Sequence, residues 1–342
     1  MEQLAPIQQR RMSVAGRDLT LTLPNLIEQL EHDEALENDD VVTDLSRLTM
    51  LDHETVDIPG IGPHRFNDWS RRQTESTLGV RFSRWFEHAA PREIADEMNR
   101  RFTRAEGPVR LRTRRSPEGG VGELRAMLGP GYSPVADSTI GRLLIQALEP
   151  YETELRILRH AATEKTVSYV VAVGRPYRIG GPGEVGDVWG GIFVRNSCVG
   201  YASLTLTLHL VRLSCRNGIF APLPDCQLVR RVHRGLDTSM LEERLRVALK
   251  DAPARLRAGG QQLARAARIE VAEIEATVRD LLADRGMPAR LVAAIMAAYA
   301  REPSRTVFGV SQALTLAAQA VTVEEGHELE ALAGAYVHEL VG

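Results

Sequence analysis

Along "VRLRTRR", Val109, Leu111 and Thr113 alternate with Arg110, Arg112 and Arg114. A period of two predicts a strand with one apolar face and one arginine face. "GELRAMLG" follows after "SPEGG" and is expected to pair with it as a hairpin. The alternation returns in "ELRILRHAAT", "TVSYVVAVGRPYRI", "VWGGIFVRN" and "ASLTLTLHLVRLSC". In the last, Leu204, Leu206, Leu208 and Leu210 point one way and Thr205, Thr207 and His209 the other.

Helical periodicity flanks these strands. Asn67 is placed to cap "DWSRRQTESTL", with Gly79 ending it. Phe82, Trp85, Phe86 and Ala89 recur at helical spacing. Pro91 opens a helix that turns Ile94, Ala95, Met98 and Phe102 inward. "DSTIGRLLIQALEP" reads as a helix capped by Asp137, with Ile140, Leu143, Leu144, Ala147 and Leu148 on its inner stripe. Residues 21–50 carry a weak helical pattern and 57–63 read as a loop. Everything from Asp237 onward reads helical and alanine-rich. The expected fold is α+β, an antiparallel sheet flanked by N-terminal helices and followed by a C-terminal helical region. Three stretches are expected: an acidic arm and helix over 1–60, an α+β core over 61–236, and a helical region over 237–342.

Charge changes this picture. The net charge is −3, so the whole chain is not a basic nucleic-acid binder. From Glu28 to Asp57 eleven acids face one arginine, Arg47. From Arg100 to Arg125 eight arginines face Glu106, Glu118 and Glu123. Lys165 and Lys250 are the only lysines among the 42 basic residues. A GC-rich genome produces that bias without selection, yet arginine is also the cation that forks onto phosphate and stacks on bases. "MEQLAPIQQR" lacks an apolar core, and no run approaches the roughly 18 residues of a membrane span. No membrane contact and a cytoplasmic location are the expectations.

Candidate chemistry is sparse. "GGPGEVG" has no lysine and precedes a strand, so it is expected to be a hairpin tip, not a phosphate cradle. Cys198, Cys215 and Cys226 lack the spacing of a zinc knuckle, even with His209 and His233 nearby in sequence. Cys215 in "RLSCRNGIF" lacks a local nucleophile signature. Asn217-Gly218 reads as a turn, as do Asn196 and Gly200. The carboxylate pairs Glu242-Glu243 and Glu324-Glu325 read as solvated helix faces. No metal and no cofactor are expected.

The arginine clusters carry the functional expectation. They are Arg110, Arg112, Arg114 and Arg115; Arg175 and Arg178; Arg195; and Arg230, Arg231 and Arg234 with His233. Arg100, Arg101 and Arg104 form a further group. Tyr132, Tyr177 and Tyr201 are interleaved, and tyrosines can stack on bases.

Several longer segments resemble a known family. "FNDWSRRQTESTLGVRFSRWFEHAAPREIADEMNRRF" resembles the opening of a phage- and plasmid-borne family of unsettled activity, the phage/plasmid-like proteins. "RNSCVG", "RLSCRNGIF" and "RRVHRG" resemble its central signatures, and "RTVFGVSQALTLAAQ" its C-terminal motif. The likeness spans about residues 60–340. This chain departs from the family at Cys198, where an acid is usual, and in "RAMLGPGYSPV" (125–135), where the family has R-A-V-L-S-x-R-Y. The resemblance implies mobile-element biology. In outline the expected fold is also similar to phage single-strand annealing recombinases of the Red beta, Erf and RecT class. The expectation is a non-enzymatic DNA-binding protein, favouring single strands and acting in annealing or recombination. Nucleic acid and further copies of the chain are its expected partners, the latter through small residues such as Ala293, Ala294, Ala297 and Ala298. The alternatives are a structural, self-assembling protein, and a nuclease or cysteine-dependent enzyme.

Overall fold

The computed structural model describes residues 13–14, 21–79, 88–116, 118–151, 155–179, 185–212, 218–220, 223, 226–235 and 238–342. The fold is α+β. Chain order runs β1 (Ser13–Val14), α1 (Leu23–Glu34), β2 (Val41–Asp44), β3 (Thr49–Met50), β4 (Thr55–Ile58), β5 (Gly62–Phe66), α2 (Asp68–Thr77), α3 (Pro91–Arg104), β6 (Pro108–Arg114), β7 (Gly122–Leu128) and α4 (Asp137–Leu148). It continues β8 (Ile157–Ala162), β9 (Val167–Ala172), β10 (Tyr177–Ile179), β11 (Gly186–Asn196), β12 (Leu204–Arg212), β13 (Gly218–Phe220) and β14 (Gln227–Arg231). Six helices follow: α5 (Thr238–Leu249), α6 (Ala252–Ala266), α7 (Ile274–Asp284), α8 (Leu291–Tyr299), α9 (Val307–Ala317) and α10 (Val323–Val341).

The strands form two sheets where the sequence pattern suggested one. The smaller has the order β2-β6-β7-β5-β4-β3, antiparallel except for the parallel pair β5–β7. Four of its strands come from residues 41–66, a stretch in which the sequence pattern suggested only a weak helix up to 50 and a loop over 57–63. The helical signal is real only as far as Glu34. Beyond it the strands are two to five residues long, too short for period-two alternation to stand out.

The edge strands β2 and β3 of this sheet are joined by one short turn, Leu45–Arg47. Edges so close in sequence cannot lie at opposite ends of a flat sheet. The sheet therefore curls, and α3 fills the seam, burying Ile94, Met98 and Phe102 against Leu45, Leu48, Met50, Val56 and Leu111. Asn99 on α3 completes the open edge. Its side chain accepts from the Met50 N–H at 2.7 Å and donates to the Met50 carbonyl at 3.2 Å. An edge strand with its polar backbone satisfied in this way cannot template aggregation.

The larger sheet runs β1-β8-β9-β11-β12-β13, with β10 on β11 and β14 on β12, all antiparallel. The leucine ladder at 204, 206, 208 and 210 faces inward as the alternation predicts, into a core shared with α1, α4 and the C-terminal helices. The opposite face is not uniformly wet. Thr207 and His209 are buried as well, and Glu330 of α10 lies against His209. The aromatic stripe at Phe82, Trp85 and Phe86, the thiol of Cys215, Asn217 and most of the "GGPGEVG" loop lie outside the described residues.

Candidate nucleic-acid interface

Arg110, Arg112 and Arg114 do line one face of β6, but acids from the N-terminal segment occupy that face. Asp40 pairs with Arg110 at 3.2 Å and with Arg112 at 3.3 Å. Glu37 takes Arg112 at 2.5 Å, Arg114 at 3.7 Å and the neighbouring Arg125 of β7. Burial pushes the Glu37 carboxyl upward, yet Arg125, Arg112 and Arg114 outweigh it and hold it below its usual range. The backbone fixes the arrangement. β2 pairs along β6, Asn38 donates to the Thr113 carbonyl, and Arg115 donates its N–H to Leu36 and its guanidinium to Ala35. The acidic segment is thus built onto the sheet through β2, and these arginines pair with it.

The turn "RNSCVG" sits where the two sheets meet. Two side chains of α2, Trp69 and Gln73, donate to the Val199 carbonyl at 2.8 and 2.9 Å. The Tyr132 hydroxyl donates to the Ser197 carbonyl at 2.7 Å and accepts from the Gly200 N–H at 3.1 Å. Gly200 has φ +78°, and a Cβ there would stand 2.6 Å from the Leu128 side chain, so only glycine closes this turn. His233 of "RRVHRG" is buried and stacks on Tyr132, with ring centroids 5.2 Å apart.

Beneath the turn lies a buried polar knot. Asn196 is more than a turn residue. Its amide donates to the Val135 carbonyl at 3.0 Å and to Asp137 at 2.8 Å. Asp137 therefore does not cap α4, as the sequence suggested. Glu34 of α1 does so from a distance, accepting from the Ser138 N–H at 3.0 Å and its hydroxyl at 2.6 Å. Cys198 donates to the Val135 carbonyl at 3.2 Å. Burial pushes its thiol well up, with Asp137 adding to the push, so it is protonated and a poor nucleophile at neutral pH.

Burial also pushes Asp137 up to about 6, Asn196 opposing the shift and Glu34 reinforcing it. A carboxyl raised in the fold stabilises below its unfolded value and loses that contribution as pH rises through 6. Asp137→Asn is therefore expected to gain about 1–3 kcal/mol at pH 8 and about half as much at pH 5. Chemical denaturation at the two pH values checks this. An equal effect at both would contradict it.

An accessible cationic and aromatic patch lies beside the turn. The Lys165 ammonium stands 5.4 Å from the Tyr201 ring centroid and the Arg195 guanidinium 5.8 Å. Trp69 meets the same ring edge-on at 5.1 Å. Tyr201, Trp69, Lys165 and Arg195 are half-buried, and Arg72 nearby is exposed. Arg195 and Arg230 both pair with Thr205, from opposite sides, so they share a face two strand spacings, about 10 Å, apart. Trp69 and Lys165 escaped sequence reasoning because only the fold brings α2 and the β8–β9 turn to this point.

The other candidates are scattered. Arg175 and Arg178 are exposed at the far end of the large sheet, roughly 26 Å along β11 from Arg195 at strand rise. Arg178 stands 3.6 Å from Asp187. Tyr177 is no stacking platform, because its hydroxyl donates to the Leu256 carbonyl at 2.9 Å and its ring meets α6. Arg231 is half-buried on the leucine-ladder face, opposite Leu204. Arg234 is exposed, bridged to Tyr132. Glu97 engages Arg100 and Arg101, each at 2.7 Å.

A second buried cluster was not foreseen. Glu330 of α10, wholly buried, is paired with Arg159 of β8 and bonded to His209 of β12 at 3.2 Å. One turn earlier, His327 meets the Ser168 hydroxyl at 3.3 Å and Phe193 edge-on at 4.8 Å. The signal was present in the sequence. Glu330 falls on the apolar stripe of α10 with Gly326, Ala333 and Val337, where a carboxylate needs a buried partner.

Among the described residues, no group of three or more His, Cys, Asp or Glu side chains is placed to hold a metal, and no helix is long and apolar enough to cross a membrane. No family model, curated protein or solved structure matches this chain.

Proposed function

We propose that this protein binds nucleic acid, DNA first among candidates, through the Tyr201 patch and without catalysis. One observation carries the proposal: an accessible tyrosine with the cations Lys165 and Arg195 at 5.4 and 5.8 Å from its ring centroid, Trp69 at its edge, and Arg230 in the same row as Arg195. Stacking on an aromatic ring is worth about 1–3 kcal/mol per base, and neighbouring cations neutralise the flanking phosphates. The interface is smaller than the arginine count of the sequence suggested. Arg110, Arg112 and Arg114 are committed to Glu37 and Asp40 and fall outside it. The resemblance to phage- and plasmid-borne proteins agrees with a DNA ligand and a role in annealing or recombination. Fluorescence anisotropy with a labelled oligonucleotide of about 20 nucleotides tests the proposal at low salt. Saturable, salt-sensitive binding is the expected result, and its absence would sink the proposal.

A further inference from the structure

We propose that Glu324 and Glu328 form an acidic rim on the Tyr201 patch, which admits one nucleic-acid backbone and repels a second. This deepens the nucleic-acid assignment and rests on it.

The rim is held by the buried cluster. His327 meets Ser168, which is the β9 partner of Arg195, and packs edge-on against Phe193, two residues along β11. Glu330 ties the next turn of α10 to Arg159 and His209. These contacts set the opening turns of α10 beside Arg195. Glu324 and Glu328 are four residues apart and so share a helix face. Glu324 is half-exposed and Glu328 exposed. Both lie close enough to act on the Tyr201 hydroxyl, which burial, Glu324 and Glu328 push above its usual range while Arg195 and Arg72 oppose them.

The charges around the aromatic pair then sort into two sets. Arg195, Lys165, Arg72 and Arg230 suit the phosphates of one strand. The carboxylates in reach include Glu324 and Glu328 on α10, and Glu164 beside Lys165 with Asp68 and Glu123 acting on it. The second backbone of a duplex lies roughly 6–12 Å from the first across a groove. That is comparable to the screening length of about 10 Å at 0.1 M salt, so salt screens its phosphates from the carboxylates only in part, and less so at low salt. A single strand has no second backbone to place there. Its bases are also free to reach Tyr201, whereas paired bases are not.

The test compares a single strand of about 20 nucleotides with the blunt duplex of the same sequence, by anisotropy at low salt. The intact protein is expected to prefer the single strand. The E324Q/E328Q variant is expected to bind duplex about three- to tenfold more tightly and single strand less than twofold more tightly, so the preference narrows. E275Q, at an exposed glutamate on α7, is expected to change neither and serves as the control. A folded E324Q/E328Q protein with an unchanged preference, or a natural chain that binds both forms equally, would overturn the rim. A natural chain that binds neither form overturns the nucleic-acid assignment itself.

Discussion

Glu330→Gln is expected to destabilise the fold by about 3–5 kcal/mol, the largest single-residue effect anticipated here. The carboxylate is fully buried, as is its partner Arg159, at 4 % exposure. Removing its charge breaks a buried ion pair from one side and takes the paired carboxylate from a guanidinium in the interior, which is what costs so much. For Glu330 itself, burial pushes the carboxyl upward, but Arg159 and His209 outweigh it and bring it to about 2. A carboxyl depressed in the fold stabilises above its unfolded value near 4.5 and loses that contribution as pH falls toward 2. His327 works in the same direction. Burial pushes it down to about 3, so its contribution is present above 6.5 and fades as pH falls toward 3. The natural chain should therefore lose stability in acid between about pH 6.5 and 2, and E330Q should lose less over the lower part of that range. Denaturant titration of both proteins at pH 7 and pH 4 checks the magnitude and the sign. A cost below about 1 kcal/mol at pH 7 would mean that the cluster is not a fastening for α10.

The second large effect is on binding. The double variant Tyr201→Ala, Arg195→Ala removes the stacking ring and the cation beside it. With stacking worth about 1–3 kcal/mol per base and one charge-assisted phosphate contact worth about 1.5–3, affinity for a single strand should fall about 10²-fold or more. Neither side chain is fully buried, so the fold should survive, and a thermal melt verifies that. The comparison variant is Arg112→Ala. It is expected to leave oligonucleotide affinity within about twofold while lowering stability, because Arg112 serves Glu37 and Asp40. Equal losses of affinity from both variants would place the β6 arginines back in the interface.

Periodicity revealed the larger elements. The leucine ladder of β12, the stripe of α3 and the capping of α2 by Asn67 all follow from patterns four residues or longer. The curled sheet was hidden because β2 to β5 are too short to display a period, and because β5 joins β7 in a parallel pairing that no local pattern announces. The arginine face of β6 was visible, but its occupant was not. Charge segregation along the chain placed acids at 28–57 and arginines at 100–125, and pairing the two required the register of β2 on β6. The same limit applies at Tyr201. Its two cations and its aromatic neighbour come from three separate segments, and only the tyrosine and Arg195 lie close in sequence. Asn196 and Gly200 read correctly as a turn, yet the carboxyl that Asn196 holds lies 59 residues earlier.

The most direct measurement is the salt dependence of oligonucleotide binding. For single strands, log affinity falls with log salt by about 0.7 per neutralised phosphate. A patch built on Arg195, Lys165, Arg230 and Arg72 predicts a slope of about −2 to −3. A slope near −6 or steeper would show that the sheet-wide arginine set binds the backbone. No binding at all would remove the patch as a nucleic-acid site.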